Sequence, residues 1–430
     1  MTPEVFYDTT PKNLLLEGEY VLEFPSEEER IQSITDNIRV ILQEQSYIGL
    51  FRASVKEKSH REGHYDTCAW IRDNSILGLA LSDPYLKHIL DHEIYYRAVE
   101  ASKKNATVII QMFASPKWQK AFRQPIYRTR DINGILHTYI EHPSAAPAIH
   151  VKEDGTSCDW FAQNQPDSLG TFIIFLHQLR KHPGFNFEKD GQLVVDSTLS
   201  YLSDIHVEMF KCIGMWEGRE VYSPTPTSTI AIVARALELG TELTSDPKLI
   251  SHVKKAAHRA RNVADQLYPR ELTEPEGHSG VDLATLVSMG LGAMAQNPLT
   301  FLGTSYRDLG SMHPFGMKRH TNDNFFREDN QGEEAIWFFA LPIKATLFYR
   351  RSIDFYRNGT LKLARKYFEA GERELLQAVS IIEKYGKGPE LFQKNNTSLN
   401  PNVNDLLWSR AEVIRALSSS IQARRLMLAS

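Results

Sequence analysis

The chain has 430 residues, 42% hydrophobic and 24% charged, with a formal net charge of −4. That balance requires a packed core, in one large domain or two ordinary ones. It offers no basic block of the kind a phosphate backbone needs, which argues against nucleic acid as a partner. Cys68, Cys158 and Cys212 are the only cysteines; an odd number at wide spacing makes neither a disulfide framework nor a zinc site. Met1 to Leu16 shows no basic start followed by an apolar run, so no signal peptide is evident. The longest apolar runs, such as Phe172-Ile173-Ile174-Phe175-Leu176, are too short to span a bilayer. The expected setting is soluble and cytoplasmic, without membrane contact.

Helical periodicity dominates in chain order. Ser26 with Glu29 forms a capping-box pattern, and Ile31, Ile34, Ile38, Ile41 and Leu42 follow at helical spacing. Further helices are expected near 72–82, 84–103, 107–122, 167–182, 193–211, 226–240, 246–267, 280–294, 332–352, 359–385 and 404–424. Strand signals are few; residues 124–139 suit a small hairpin around Asn133-Gly134. No linker rich in Gly, Ser or Pro divides the chain, which is read as a single domain over residues 1–430.

The polar clusters sit directly before helices. Trp70-Ile71-Arg72-Asp73 opens one. Trp160 with Gln165-Pro166-Asp167 opens another. Gly214-Met215-Trp216-Glu217, Lys318-Arg319-His320 with Asp323, and Pro389-Glu390-Leu391 each precede a further helix. If alternate helices formed an inner ring with one common direction, these segments would gather at one mouth, where helix N-termini also present free N–H groups. A toroid of about six helix pairs satisfies this placement, an all-α (α/α)6 barrel. A carboxylate beside an indole suits a sugar, whose hydroxyls take hydrogen bonds and whose ring has an apolar face.

These motifs, with Asp405-Leu406-Leu407-Trp408-Ser409, resemble the glucoamylase family, glycoside hydrolase family 15. The Gly-Met-Trp-Glu form is nearer its bacterial-type members and the related N-terminal domain of phosphorylase kinase α and β subunits. The resemblance runs from about residue 45 to 420 and implies an (α/α)6 barrel with its site at one mouth. It implies that Arg72 and Asp73 bind the terminal glucose, that Trp70, Trp160, Asp167, Trp216, Arg319 and Trp408 contact substrate, that Glu217 is the general acid and that Glu390 is the general base. The chain departs from the pattern in Asp66-Thr67-Cys68 ahead of Trp70, in Pro166 within the acidic turn, and in Pro389-Glu390-Leu391-Phe392-Gln393 around the base.

Inverting hydrolysis needs a protonated carboxyl and an ionised one roughly 6.5–9.5 Å apart, with a water between. Glu217 against Trp216 suits the acid, and Glu390 in a polar loop suits the base. Each candidate also has a plainer role. Glu217 and Glu390 can be solvated loop acids, Arg72 and Asp73 an ion pair at a helix start, and the tryptophans core. Lys318, His320 and Arg327 compete with Arg319 for its role.

His60, His64 and Asp66 lie at poor spacing for a metal, no Gly-x-Ser-x-Gly elbow is present, and no cofactor is expected. Gly290-Leu291-Gly292 reads as close helix packing. The expected activity is release of glucose from non-reducing ends of α-1,4 glucans or maltooligosaccharides with inversion. A non-hydrolytic glucan-binding regulator and a toroid enzyme acting on another sugar are the alternatives.

Overall fold

The computed structural model describes residues 25–55, 68–123, 127–132, 135–140, 150–152, 165–210, 212, 214–216, 225–271, 282–294, 296, 298, 300–302, 312–319, 335–393 and 405–428. Six helices follow one another around a closed inner ring. They are α2 (Ile71–Leu81), α5 (Pro166–Leu179), α7 (Thr227–Gly240), α9 (Leu283–Gly290), α10 (Ala340–Arg357) and α12 (Leu407–Leu428), and α12 packs back onto α2. Among the described residues five outer helices back this ring. α1 (Glu27–Gln43) lies on α12, α3 (His92–Ala114) on α2, α8 (Pro247–Leu267) on α7 and α11 (Leu361–Tyr385) on α10, while α6 (Lys189–Asp204) bridges α3 and α8. The fold is an (α/α)6 toroid. No helix among the described residues is long and apolar enough to cross a membrane.

The two rings differ in sequence because they differ in surroundings. Every residue of α2 and of α9 is buried, so those helices carry no polar stripe. Several hydroxyls of these helices and of their ring neighbours turn back on their own backbones instead. Ser75 donates to the Ile71 carbonyl at 2.6 Å, Thr171 to Asp167 at 2.8 Å and Thr346 to Pro342 at 2.9 Å. Gly78 lets α2 and α5 approach: a Cβ there would fall 2.3 Å from the Phe175 ring. The outer helices are amphipathic, and α1 starts with the expected capping box, Glu29 N–H to Ser26 Oγ at 3.2 Å and Ser26 N–H to Glu29 Oε2 at 2.6 Å.

Several expected boundaries are corrected. The break expected between 103 and 107 does not occur, because α3 runs through it. Lys103 and Lys104 reach off the helix to the carbonyls of Pro183 and Tyr47, both at 2.9 Å, and buried Asn105 donates to Asn74 Oδ1 at 2.6 Å. Ahead of α3, residues Pro84–His88 form a short 3-10 turn, and α4 (Pro116–Arg123) follows it. The helix expected from 332 starts only at Ala340, since Ala335–Trp337 form a strand. Pro342 sits in the first turn of α10, where its missing N–H costs nothing. α9 ends at Gly290. That glycine packs against Ile343 as expected, but Gly292, at φ +71°, leaves the helix.

The strands are short. β2 (Tyr127–Ile132) and β3 (Ile135–Ile140) pair antiparallel with Ile132 opposite Ile135, the expected hairpin. β1 (Cys68–Trp70) pairs with β4 (His150–Lys152). β5 (Met312–His313), β6 (Gly316–Met317), β7 (Ala335–Trp337) and β8 (Leu391–Gln393) form one antiparallel sheet in that order. This sheet lies across the helix starts.

Candidate active site

One cavity at the mouth of the inner ring is lined by Trp70, Arg72, Asp73, Met215, Trp216, Arg319, Trp337, Phe339, Glu390, Leu406 and Trp408. The helix starts deliver several of these. Trp70 is the residue before α2, Arg72 and Asp73 lie in its first turn, Phe339 precedes α10, and Trp408 lies in the first turn of α12. The common direction of the inner helices therefore places their N-termini, with their unsatisfied N–H groups and positive dipole ends, around one opening.

Arg72 and Asp73 are both buried, and Arg72 Nε lies 3.3 Å from Asp73 Oδ1. The Arg72 guanidinium also donates to the Met215 carbonyl at 2.5 Å, lies 3.7 Å from Asp167 Oδ2, and covers the Trp408 ring at 5.3 Å. Asp167 is fully buried behind Arg72 and is not among the lining residues. Trp408 stacks on Phe339 at 4.8 Å and 10° and donates its indole N–H to Glu412 at 3.2 Å. Glu412 also takes Arg415 at 2.9 Å, and Arg415 donates on to the Gly290 carbonyl at 2.5 Å.

Glu390 is set by the sheet. Its carbonyl accepts the Phe338 N–H at 3.0 Å, just beyond the β7–β8 ladder, where Trp337 faces Leu391. It is only 4% exposed. Two features of the sequence reading change here. Glu390 precedes a strand and not the last helix, and it stands in a buried wall and not in a polar loop. Both follow from the hydrogen-bonded ladder that β7 offers to the segment after α11.

Arg319 brings a second cation to the cavity. Its guanidinium lies 5.4 Å from the Trp216 ring and 4.8 Å from that of Trp337. Trp216 and Trp337 are 5.6 Å apart at 36°. The glycine at 316 makes this wall possible. At φ +151°, any Cβ would sit 2.0 Å from the Trp337 carbonyl oxygen.

Beneath the wall lies a pair of buried acids. Asp282 caps α9, accepting the Ala284 N–H at 2.7 Å, and also accepts the Trp216 indole N–H at 2.6 Å. Glu271 accepts the Ser228 N–H at 3.0 Å and the Thr285 hydroxyl at 2.8 Å. Burial, and then the Asp282 charge, push Glu271 up to about 7. Cys212 is buried and held in its thiol form, pushed up to about 12 by burial first and then by the Asp167 charge, so it is no nucleophile.

The structure thus brings Trp70, Arg72, Asp73, Trp216, Arg319, Glu390 and Trp408 to one cavity. Glu217, Trp160, Cys158, His60, His64, Asp66, His320, Asp323 and Arg327 lie outside the described residues, and so does the Glu217–Glu390 spacing. Sequence reasoning missed Met215, Trp337, Phe339 and Asp282. The run Ile336-Trp337-Phe338-Phe339 was the available signal, since β-branched and aromatic residues favour strands.

No protein-family model matches the chain, and no curated protein does. Solved structures do. A glucoamylase from Saccharomycopsis fibuligera superposes with a TM-score of 0.60 at 12% identity, over 95% of this chain and 98% of that one. A bacterial glucoamylase complexed with acarbose gives 0.54 at 15% identity, over 91% of this chain and 56% of the other. Cellobiose 2-epimerase from Spirochaeta thermophila DSM 6192 gives 0.53 at 10% identity, over 93% and 98%. At such identities the likeness is one of fold, and at that level the chain is glucoamylase-like: its (α/α)6 toroid is the one these carbohydrate enzymes share.

Proposed function

We propose that the chain is a glycoside hydrolase. It removes glucose from the non-reducing ends of α-1,4-linked glucans or maltooligosaccharides with inversion, as one catalytic (α/α)6 unit. The observation that carries this reading is the shared cavity. Two carboxyls, Asp73 and Glu390, stand among two guanidinium groups and the indoles of Trp70, Trp216, Trp337 and Trp408.

Each part has a task. The guanidinium of Arg72 and the carboxylate of Asp73 hold hydroxyls of the terminal ring. The indoles cover its apolar faces. Glu390 acts as the general base that draws a proton from water, and Glu217, the residue after Trp216, as the general acid that protonates the leaving oxygen. The two glucoamylases among the structural neighbours support the glucan reading; the epimerase marks the fold as open to other sugar chemistry.

Incubation with maltose, maltotriose, panose and trehalose, with the product anomer followed by NMR, tests this. β-Glucose from an α-linked substrate is expected. Glu217→Gln and Glu390→Gln should each lower turnover by about 10²–10⁴-fold while sugar binding survives. α-Glucose as first product would refute inversion. A protein that binds maltotriose yet cleaves none of the four would favour the regulatory alternative.

A further inference from the structure

The start of α9 does more than begin a helix. A cap needs only one short polar side chain, and Ser, Thr, Asn or Asp serves it about equally. At Asp282 the same oxygen that caps the Ala284 N–H also takes the Trp216 indole N–H, at 2.6 Å. The next backbone amide, Leu283 N–H, donates to the Arg319 carbonyl at 2.8 Å. Trp216 and Arg319 come from segments about a hundred positions apart, and the Arg319 guanidinium lies on the Trp216 ring. Two lining residues of the cavity are therefore fastened to the cap and the first residue of a helix whose every side chain is buried. Asp282 itself does not line the cavity.

We propose that Asp282 is a positioning residue of this site: it fixes the plane of the Trp216 indole and, with the Leu283 amide, sets Arg319 against it. The proposal rests on the sugar-site reading for its consequence, but not for its geometry. Asp282 touches no reacting atom and acts through Trp216. An indole free to rotate about its χ angles would lose the face it offers to a ring and would unseat the arginine stacked on it.

Asp282→Ser and Asp282→Asn separate the roles. Serine keeps the cap, but its hydroxyl stops short of the indole. Asparagine keeps an oxygen that can accept both N–H groups. The ¹⁵N-indole resonance of Trp216, located with Trp216→Phe, reports the hydrogen bond without any sugar. Acarbose affinity and maltotriose kinetics report the site.

Asp282→Ser should keep a near wild-type thermal midpoint, shift the Trp216 signal, lose its protection from exchange, and lose about 10- to 100-fold in kcat/KM and acarbose affinity. Asp282→Asn should restore both. A wild-type Trp216 signal in Asp282→Ser overturns the proposal, and so does a shifted signal with unchanged affinity and kinetics. Should Asp282→Ser not fold, the wild-type protein decides: a Trp216 indole proton that exchanges rapidly overturns the proposal, and one that is protected supports it. Should the wild type neither bind acarbose nor cleave maltotriose, the sugar-site reading fails and the indole signal alone decides on Asp282.

Discussion

Arg72 covers the Trp408 ring at 5.3 Å while its fork donates to the Met215 carbonyl. The first contact sets the guanidinium carbon over the ring and the second uses one N–H of the fork, two contacts that a broad, branched cation makes at once. Lysine keeps the charge but lacks the planar fork, so it cannot hold both contacts at once. A desolvated cation–π contact is worth about 2 kcal/mol, on the order of 30-fold in rate. Arg72→Lys should therefore lower kcat/KM on maltotriose by about that factor. Unchanged kinetics would remove Arg72 from the substrate subsite.

Asp73 is buried beside that arginine, and its carboxylate lines the cavity. Asp73→Asn keeps the shape and removes the charge. A hydrogen bond to a charged group contributes about 1.5–3 kcal/mol, so kcat/KM should fall roughly 10- to 100-fold. The loss should shrink on a deoxy analogue lacking the hydroxyl that Asp73 holds. Equal losses on every monodeoxy sugar would make Asp73 a purely structural acid.

Glu271 predicts a pH dependence of stability. Its carboxyl is raised in the fold from 4.5 to about 7, by burial first and the Asp282 charge second. The folded state thus binds the proton more tightly than the unfolded state between those values. Its contribution is fully present below about 4.5 and is lost as pH rises through about 7. Glu271→Gln carries no proton to lose, so its stability relative to wild type should improve between pH 5 and pH 8. Urea denaturation at both pH values measures this; parallel shifts at the two would show that Glu271 does not titrate there.

Far from the cavity, Arg30 and Glu372 tie α1 to α11. Two bonds of 2.8 and 2.6 Å join them, and the Tyr349 hydroxyl donates to the same carboxylate at 2.6 Å. Arg30 is 1% exposed. Glu372→Ala leaves that charge buried without its partner, at a cost of about 3–5 kcal/mol. The variant should unfold at clearly lower urea, while the folded fraction keeps wild-type kcat/KM. A drop in kcat/KM would show that the outer ring shapes the site.

The parts of this molecule legible from sequence were those with a long period or a local motif. Trp70-Ile71-Arg72-Asp73 announced a helix start, and the repeated placement of acids and indoles before helices implied a common mouth. The sheet was not legible. Its strands are two or three residues long, too short to show alternation, and their partners lie up to 58 positions away, Ala335 opposite Gln393. Glu390 was therefore found as a residue but misplaced as a structure. Asp282 went unnoticed, inside the helix expected over 280–294, because its partner Trp216 is 66 positions distant and only the folded chain brings them together.

The shortest inner helix is gripped at both ends. Asp282 at its start holds Trp216, and the Gly290 carbonyl at its end receives Arg415 and Arg350, at 2.5 and 2.9 Å. Arg415 is braced by Glu412, which also holds Trp408. α9 thus works as a strut about 12 Å long, tied at its start to Trp216 and at its end, through Arg415 and Glu412, to Trp408. A change on the far face of the toroid can tilt Trp216 and Trp408 together without touching any side chain that lines the cavity.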